Sequence, residues 1–440
     1  MSDKPLDFVP FPLFNGDAGE PVSLSDQDFF QQAVSRLNFD WEPEYRVACQ
    51  LLNSLLIRPN TFRTYRRDLD RFFLWRWFKV GESCLTMRSA EMTAFVMFVD
   101  SPPASWQGAI CRGRLQKTKP LKDGSAGEII EGPNPDWRPF IMERRQATGL
   151  AKSSKVSMFG GLSALYGSLI EAELIEHNPV LTSRKRSLGK VGKLGKVKER
   201  IMSDAQLEAI FRASDRIAGF KGARSRYIVS MLYYLGVRVS ELCDKVVPAG
   251  VIPCLTNRFL CLPEGWVFHI DDSVGKGDKG RYIPVTNTLL SEVKRFRAAF
   301  SVELGRKLTT LPSQAERLPL VPHSHRGTME HEGLDSNSIR NEIKSVLEVA
   351  RKMLEEDSNQ LKAAGDTDGA DAISREAEGL MAISPHWFRH KYATDDIADG
   401  GNIAHTQANL GHSDLATTSI YVHADLNTRL ESSEKKRRVD

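Results

Sequence analysis

Apolar positions recur at helical spacing along most of residues 45–180. In "RPNTFRTYRRDLDRFFLWRWF" (58–78) Tyr65, Leu69, Phe72 and Phe73 mark one face, behind the helix-starting pair Pro59 and Asn60. Arg63, Arg66, Arg67 and Arg71 fall on the other faces. "SAEMTAFVMFVD" and "SKVSMFGGLSALYGSLIEAELIEHNPV" predict further helices, the second running to Asn178-Pro179. Residues 102–136, rich in Pro, Gly and Lys, predict an inserted loop.

A second set of elements begins near residue 201. "SDAQLEAIFRAS" (203–214) predicts a helix capped by serine or aspartate. "SRYIVSMLYYLGVRVSELCDK" (225–245) predicts a helix carrying Ile228, Leu232 and Leu235, broken at Gly236 and resumed after Arg238. In "WVFHIDDSVGKGDKGRYIPV" (266–285) two alternating runs flank a Gly-rich turn, the pattern of a β-hairpin. Residues 336–380 are polar and helical in propensity, interrupted by "AAGDTDGADA"; they predict a helical extension with a flexible tip. The pattern therefore predicts a mainly α chain with a small β-sheet: an acidic arm over 1–44, a helical domain over 45–182, a linker over 183–200, an α+β domain over 201–424 and a tail over 425–440.

Charge sharpens this division. Residues 1–44 hold nine acids and two bases, whereas "TSRKRSLGKVGKLGKVKER" (182–200) holds eight bases and one acid. The basic stretch, with Arg184, Lys185, Arg186, Lys190, Lys193, Lys196 and Lys198, points to a polyanionic partner, although a solvated linker has the same composition. The longest apolar runs fall well short of the ~20 residues a bilayer requires, and the N-terminus has no secretory pattern. Six cysteines without a CxxC pair read as reduced thiols of a cytosolic protein.

Candidate chemistry clusters in the second half. In "GVRVSEL" Arg238 follows a glycine break, and Glu241 stands three positions on, where it can buttress the arginine; taken alone, a surface ion pair accounts for both. "GKGDKGRYIPV" puts Lys276 and Lys279 on a tight turn without the spacing of an ATP-binding loop. "SPHWFRHKYAT" places His386 and Arg389 on one face near a helix N-terminus, which favours an anion. His386 and His390 have a zinc-pair spacing, but Trp387 stands where a metalloprotease needs glutamate, and no metal is expected. "NLGHSDLATTSIYVHAD" carries His412 and, nine residues on, Tyr421. A free tyrosine is a poor nucleophile at neutral pH. Clustered cations would favour its phenolate and also stabilise a phosphoryl transition state.

In order and spacing, these four motifs resemble the tyrosine recombinases, the phage-type integrase family. The resemblance spans roughly 200–425, with weaker similarity over 45–180 to the family's helical core-binding domain. It implies that Arg238, Lys276, His386, Arg389 and His412 are the catalytic cations, that Glu241 supports the first arginine, and that Tyr421 is the nucleophile. It further implies cleavage and rejoining of double-stranded DNA through a 3′-phosphotyrosyl link, without metal, ATP or other cofactor. Two domains would clamp the duplex like a C, with the linker across it and Arg63, Arg66, Arg67 and the linker bases on DNA. Four protomers would assemble on two sites, with the tail docking on a neighbour. Such an enzyme is cytoplasmic and nucleoid-associated; whether accessory DNA-bending or regulatory proteins take part is left open.

Three features depart from the compact members: the extension at 336–380, the insert at 102–136 and the acidic arm. They leave open integration, cointegrate resolution and chromosome or plasmid dimer resolution, with a mobile-element integrase favoured. A type IB-like topoisomerase, a non-catalytic DNA-binding protein and a metal-dependent nuclease are the competing expectations.

Overall fold

The computed structural model describes residues 9–16, 21–111, 113–116, 132–141, 149–181, 202–247, 250–271, 280–325 and 327–411. They divide into two compact units, Met1–Gly195 and Lys196–Asp440.

Unit 1 is helical. Its elements are α1 (Asp28–Val34), α2 (Glu42–Ser54), α3 (Pro59–Phe73), α4 (Glu91–Asp100) and α5 (Lys152–Glu171), with a short parallel pair β1 (Gln107–Gly108) and β2 (Phe140–Ile141). Helix α3 runs directly into π-helical turns over Leu74–Val80. Its apolar face (Phe62, Leu69, Phe72, Phe73) packs on α5 through Leu162, Leu165, Tyr166 and Leu169. Helix α5 ends at Glu171, seven residues before Asn178. Glu173 adopts a left-handed φ of 58°, and the Leu174 N–H reaches back to the Leu169 carbonyl at 3.0 Å. This closure satisfies the last carbonyls and ends the helix before the proline can act.

The segment expected to be an arm is part of this core. Phe11, Leu13, Phe14, Val22, Leu24, Phe30 and Val34 are buried in it. The Leu13 N–H donates to Asp70 Oδ1 at 3.0 Å, and Tyr45 Oη donates to the Leu13 carbonyl at 2.7 Å. Within the insert Trp106 is buried and Arg114 pairs with Asp70, and Trp137, just past its end, is buried too.

Unit 2 is built from α6 (Asp204–Arg216), α7 (Gly219–Leu235), α8 (Asn287–Leu304), α9 (Ser336–Ala363), α10 (Thr367–Leu380), α11 (Pro385–Ala398) and α12 (Ile403–Leu410). Beside them lie the hairpin β3 (Lys245–Val247) and β4 (Gly250–Ile252) and the antiparallel sheet β5 (Phe259–Leu262), β6 (Gly265–Ile270) and β7 (Arg281–Pro284). Ser203 caps α6 with the reciprocal bonds of a capping box to Gln206. The β6–β7 pair is the predicted hairpin, in the register Phe268 opposite Ile283 and Ile270 opposite Arg281; its turn, 272–279, lies outside the described residues.

Residues 336–380 are no appendage. Helices α9 and α10 pack on each other and on α6, and α9 sends Ile339, Ile343, Val346, Leu347, Ala350 and Met353 into the core. The predicted flexible tip is a tight turn at Gly365 (φ 86°), after which Asp366 caps α10 by accepting from the Gly369 N–H at 2.9 Å. A buried pair locks α9 to α7. Arg224 donates to Glu342 through Nε (3.1 Å) and Nη2 (2.8 Å), and Ser225 Oγ adds a bond of 2.9 Å.

Candidate active site

Helix α7 stops because Gly236 takes a left-handed φ of 59°. A side chain there is barred twice, by that φ and because a Cβ would lie 2.6 Å from a Tyr392 ring carbon and 2.9 Å from a Leu410 methyl. The expected resumption of the helix is a single 3-10 turn, Val239–Glu241, with Arg238 at its head. Glu241 is fully buried, so its link to Arg238 is no surface ion pair. It accepts the Arg238 backbone N–H at 2.7 Å and Arg238 Nη1 at 3.0 Å.

A second guanidinium shares this carboxylate. Arg281, at the start of β7, donates Nη1 to Oε1 at 3.0 Å and Nη2 to Oε2 at 2.9 Å. Its Nε donates to the Asn409 carbonyl at 2.6 Å. Burial pushes the Glu241 carboxyl up, but the bonds and charge of Arg281, then those of Arg238, outweigh it and hold the group below the usual carboxylate range.

Arg389, on α11 and 5% exposed, ties the same two segments together from the other side. Its Nη1 donates to the Gly236 carbonyl at 2.7 Å and its Nη2 to the Leu410 carbonyl. The acceptors are helix-end carbonyls of α7 and α12, which lack partners within their own helices and carry partial negative charge. Asn409 Nδ2 also donates to Tyr392 Oη at 3.0 Å. His386 is exposed on the first turn of α11, one residue after the Pro385 start. The result is a cluster of arginines where the ends of α7 and α12 meet β7 and α11, and the end of α12 lies three residues or fewer from His412 in sequence.

A model of the phage integrase family matches residues 200–428, more than half of the chain. The chain belongs to this family, the tyrosine recombinases. Tyrosine recombinase XerD of Pseudomonas aeruginosa is 28% identical over 313 residues, covering 71% of this chain and 84% of that protein. Tyrosine recombinase XerC of Bacillus licheniformis is 25% identical over 292 residues, 66% of this chain and 76% of that one. The Tn1549 transposon integrase, solved in complex with circular intermediate DNA, shares the fold; it is 15% identical, with a TM-score of 0.50 over 89% of this chain and 99% of that one.

In this recombinase, Arg238, Glu241 and Arg389 converge, and His386 stands on the same helix as Arg389, three residues before it. Lys276, Lys279, His412 and Tyr421 lie outside the described residues, as do Arg184, Lys185, Arg186, Lys190, Lys193, Lys196 and Lys198. On α3, Arg63 and Arg67 are exposed, and Arg67 Nε donates to Asp68 at 3.2 Å. Arg66 instead folds back over Gly16 and the Phe62 ring. Arg71 is not on a solvent face. It is buried against the Phe140 ring and donates to the Pro139 carbonyl (2.9 Å) and Asp68 (3.1 Å).

Sequence reasoning missed Arg281, which stands inside the quoted "GKGDKGRYIPV". A signal was present. Strand alternation puts Arg281 in phase with Ile283, on the buried face of the sheet, where an arginine needs a partner. Among the described residues, no cluster of three or more His, Cys, Asp or Glu is placed to hold a metal ion. No helix among them is long and apolar enough to cross a membrane.

Proposed function

We propose that this recombinase cuts and rejoins duplex DNA at a specific site, with Tyr421 as the nucleophile. The Tyr421 phenolic oxygen attacks the scissile phosphorus, the bond from phosphorus to the 5′ oxygen breaks, and the 3′ phosphate stays on the tyrosine. Arg238 and Arg389 hold the phosphate oxygens, whose geometry suits a planar guanidinium. His386 and His412 assist the transferring phosphoryl group, and Lys276 gives a proton to the leaving 5′ oxygen. No metal is needed, because several fixed cations supply the electrostatic stabilisation. Arg63, Arg67 and the linker bases neutralise flanking phosphates, with Arg66 in a lesser role.

The observation that carries this reading is the placement of two arginines where α7 ends: Arg238 is held by the buried Glu241 carboxylate, and Arg389 bonds the Gly236 and Leu410 carbonyls, where α7 and α12 end. For the biological role we favour integration or resolution of a mobile element. Resolution of chromosome or plasmid dimers is the second reading, which the XerC and XerD names of the relatives above favour.

The test is a trapped adduct. Incubation with fragmented host DNA, denaturation in EDTA and sequencing of what stays attached to protein should yield one short site, linked through Tyr421. Tyr421→Phe should keep DNA affinity within about threefold while the adduct vanishes, since only the nucleophilic hydroxyl is lost. An adduct mapping to another residue, or cutting that stops in EDTA, would refute the assignment. Ends of an element among the recovered DNA support mobility, and a single chromosomal locus supports dimer resolution. Relaxation of supercoils without joining of two sites would mean a topoisomerase.

A further inference from the structure

Arg281 makes contacts that the catalytic reading above does not use. Its side chain is only 8% exposed. All three guanidinium nitrogens are engaged, and each bond goes to a segment that holds a proposed catalytic group. Nη1 and Nη2 take both oxygens of Glu241, the carboxylate that also receives the Arg238 side chain and backbone. Nε takes the carbonyl of Asn409, three residues ahead of His412. The backbone of β7 anchors Arg281 itself, two residues after Lys279 at the foot of the hairpin.

The fit around it is tight. A Cβ on Gly411 would lie 3.0 Å from Arg281 Nη1, so that glycine, already left-handed at φ 63°, also makes room for the guanidinium. One planar fork therefore fixes the distance between the turn carrying Arg238 and the end of α12. Lysine has a single ammonium and cannot span a bidentate carboxylate and a carbonyl on its third side.

We propose that Arg281 is a positioning residue for strand cleavage: it sets Arg238 through Glu241 and fixes the end of α12 against that turn through the Asn409 carbonyl. This rests on the recombinase chemistry proposed above. Displacement of a catalytic group by about 1 Å can slow a reaction about 10²-fold. The effect belongs on the chemical step and leaves DNA binding nearly untouched.

The experiment uses the full chain and a nicked duplex carrying the site recovered from the wild-type adduct, followed under single-turnover conditions. Arg281→Met and Arg281→Lys should both form adduct about 10²-fold more slowly, with site affinity within about threefold of wild type. Wild-type rates in both variants, or recovery of the rate by Lys, would overturn positioning, because Lys keeps the charge and loses only the fork. A double-mutant cycle covers the case in which Arg281→Met fails to fold. Arg281→Lys combined with Glu241→Gln should lose clearly less than the product of the two single losses, since both act on Arg238 through one carboxylate; fully multiplied losses would refute that route. If wild type itself forms no tyrosyl adduct, the recombinase reading fails, and with it the role given to Arg281.

Discussion

Glu44 in unit 1 and Glu241 in unit 2 are equally shut off from water, at 0% and 1% exposure, yet the protein holds them by opposite means. Among the described residues, Glu44 receives neutral donors only: Trp77 Nε1 and Ser83 Oγ at 2.5 Å each, and the N–H groups of Cys84 and Leu85 at 3.1 Å. Burial dominates and pushes its carboxyl above the usual range. Glu241 receives two guanidiniums and stays charged. Four dipoles are enough to seat a carboxyl that ties α2 to the Cys84 turn. Glu241 instead keeps a permanent negative charge between two guanidiniums, and this holds Arg238 and Arg281 in place.

The harshest way to break this contrast is to delete the anion in unit 2. Glu241→Ala strands Arg281, which is buried, and Arg238, which is largely so. Breaking a buried pair by removing one partner costs about 3–5 kcal/mol. Urea unfolding with hydrogen exchange read at α7 and β7 should show a loss of that size, while α2 and α3 of unit 1 keep their protection. A loss below ~1 kcal/mol, the scale of an exposed pair, would mean that Arg281 is held by its bond to the Asn409 carbonyl and that Glu241 is incidental.

Titration separates the two glutamates more finely. For Glu241 the folded state binds its proton more weakly than the unfolded chain. Its contribution to stability is thus present above the ordinary carboxylate value of 4.5 and is lost as pH falls through the depressed folded value. Glu44 has the reverse sign. Its folded state holds the proton more tightly, so unit 1 loses stability as pH rises from 4.5 through the raised folded value. Either slope reaches at most about 1.4 kcal/mol per pH unit inside its window. Exchange measured at the Cys84 turn and at β7 should therefore move in opposite directions with pH. Glu44→Gln should flatten the first slope, at a cost of about 1–3 kcal/mol for the donors it leaves without an acceptor. Parallel slopes in the two units would defeat the comparison.

Much of unit 2 was legible because its signals are local. Ser203 with Gln206, the alternating runs of the hairpin and the Gly236 break each act over a few residues. The i,i+3 link from Glu241 to Arg238 was legible for the same reason. What was missed depends on distant contacts. The arm reads from its acids and prolines as an extension anchored by a few aromatics; that Leu13, Val22 and Leu24 are buried with those aromatics depends on bonds such as Leu13 to Asp70, 57 residues apart. Arg71 looked like a surface base because its partners, Pro139 and Phe140, come from another element. For residues 336–380 the helices and the break between them were legible, and only their place in the core was missed. Ile339, Ile343, Val346, Leu347, Ala350 and Met353 form a stripe at helical spacing, and the polar composition around it hid a core face.

The mildest contrast between the units lies in how their helices end. In unit 2, α7 and α12 close on Gly236 and Gly411, both left-handed and both crowded by neighbours. In unit 1, α5 closes on Glu173, an exposed residue with a Cβ, at φ 58°. A side chain in that conformation costs about 1–2 kcal/mol. Replacing it by glycine relieves this strain but adds about 0.5–1 kcal/mol of unfolded-chain entropy to be lost. Glu173→Gly should then stabilise unit 1 by up to about 1 kcal/mol, since no hydrogen bond of the closure uses the Glu173 side chain: the bonds run from the Glu173 and Leu174 N–H groups to the Ile170 and Leu169 carbonyls. Exchange at α5 in urea would register the gain, with unit 2 as the unchanged reference. Destabilisation would mean that the Glu173 side chain contributes to unit 1 by some means other than its backbone angle, and that the two units do not end their helices on the same physical terms.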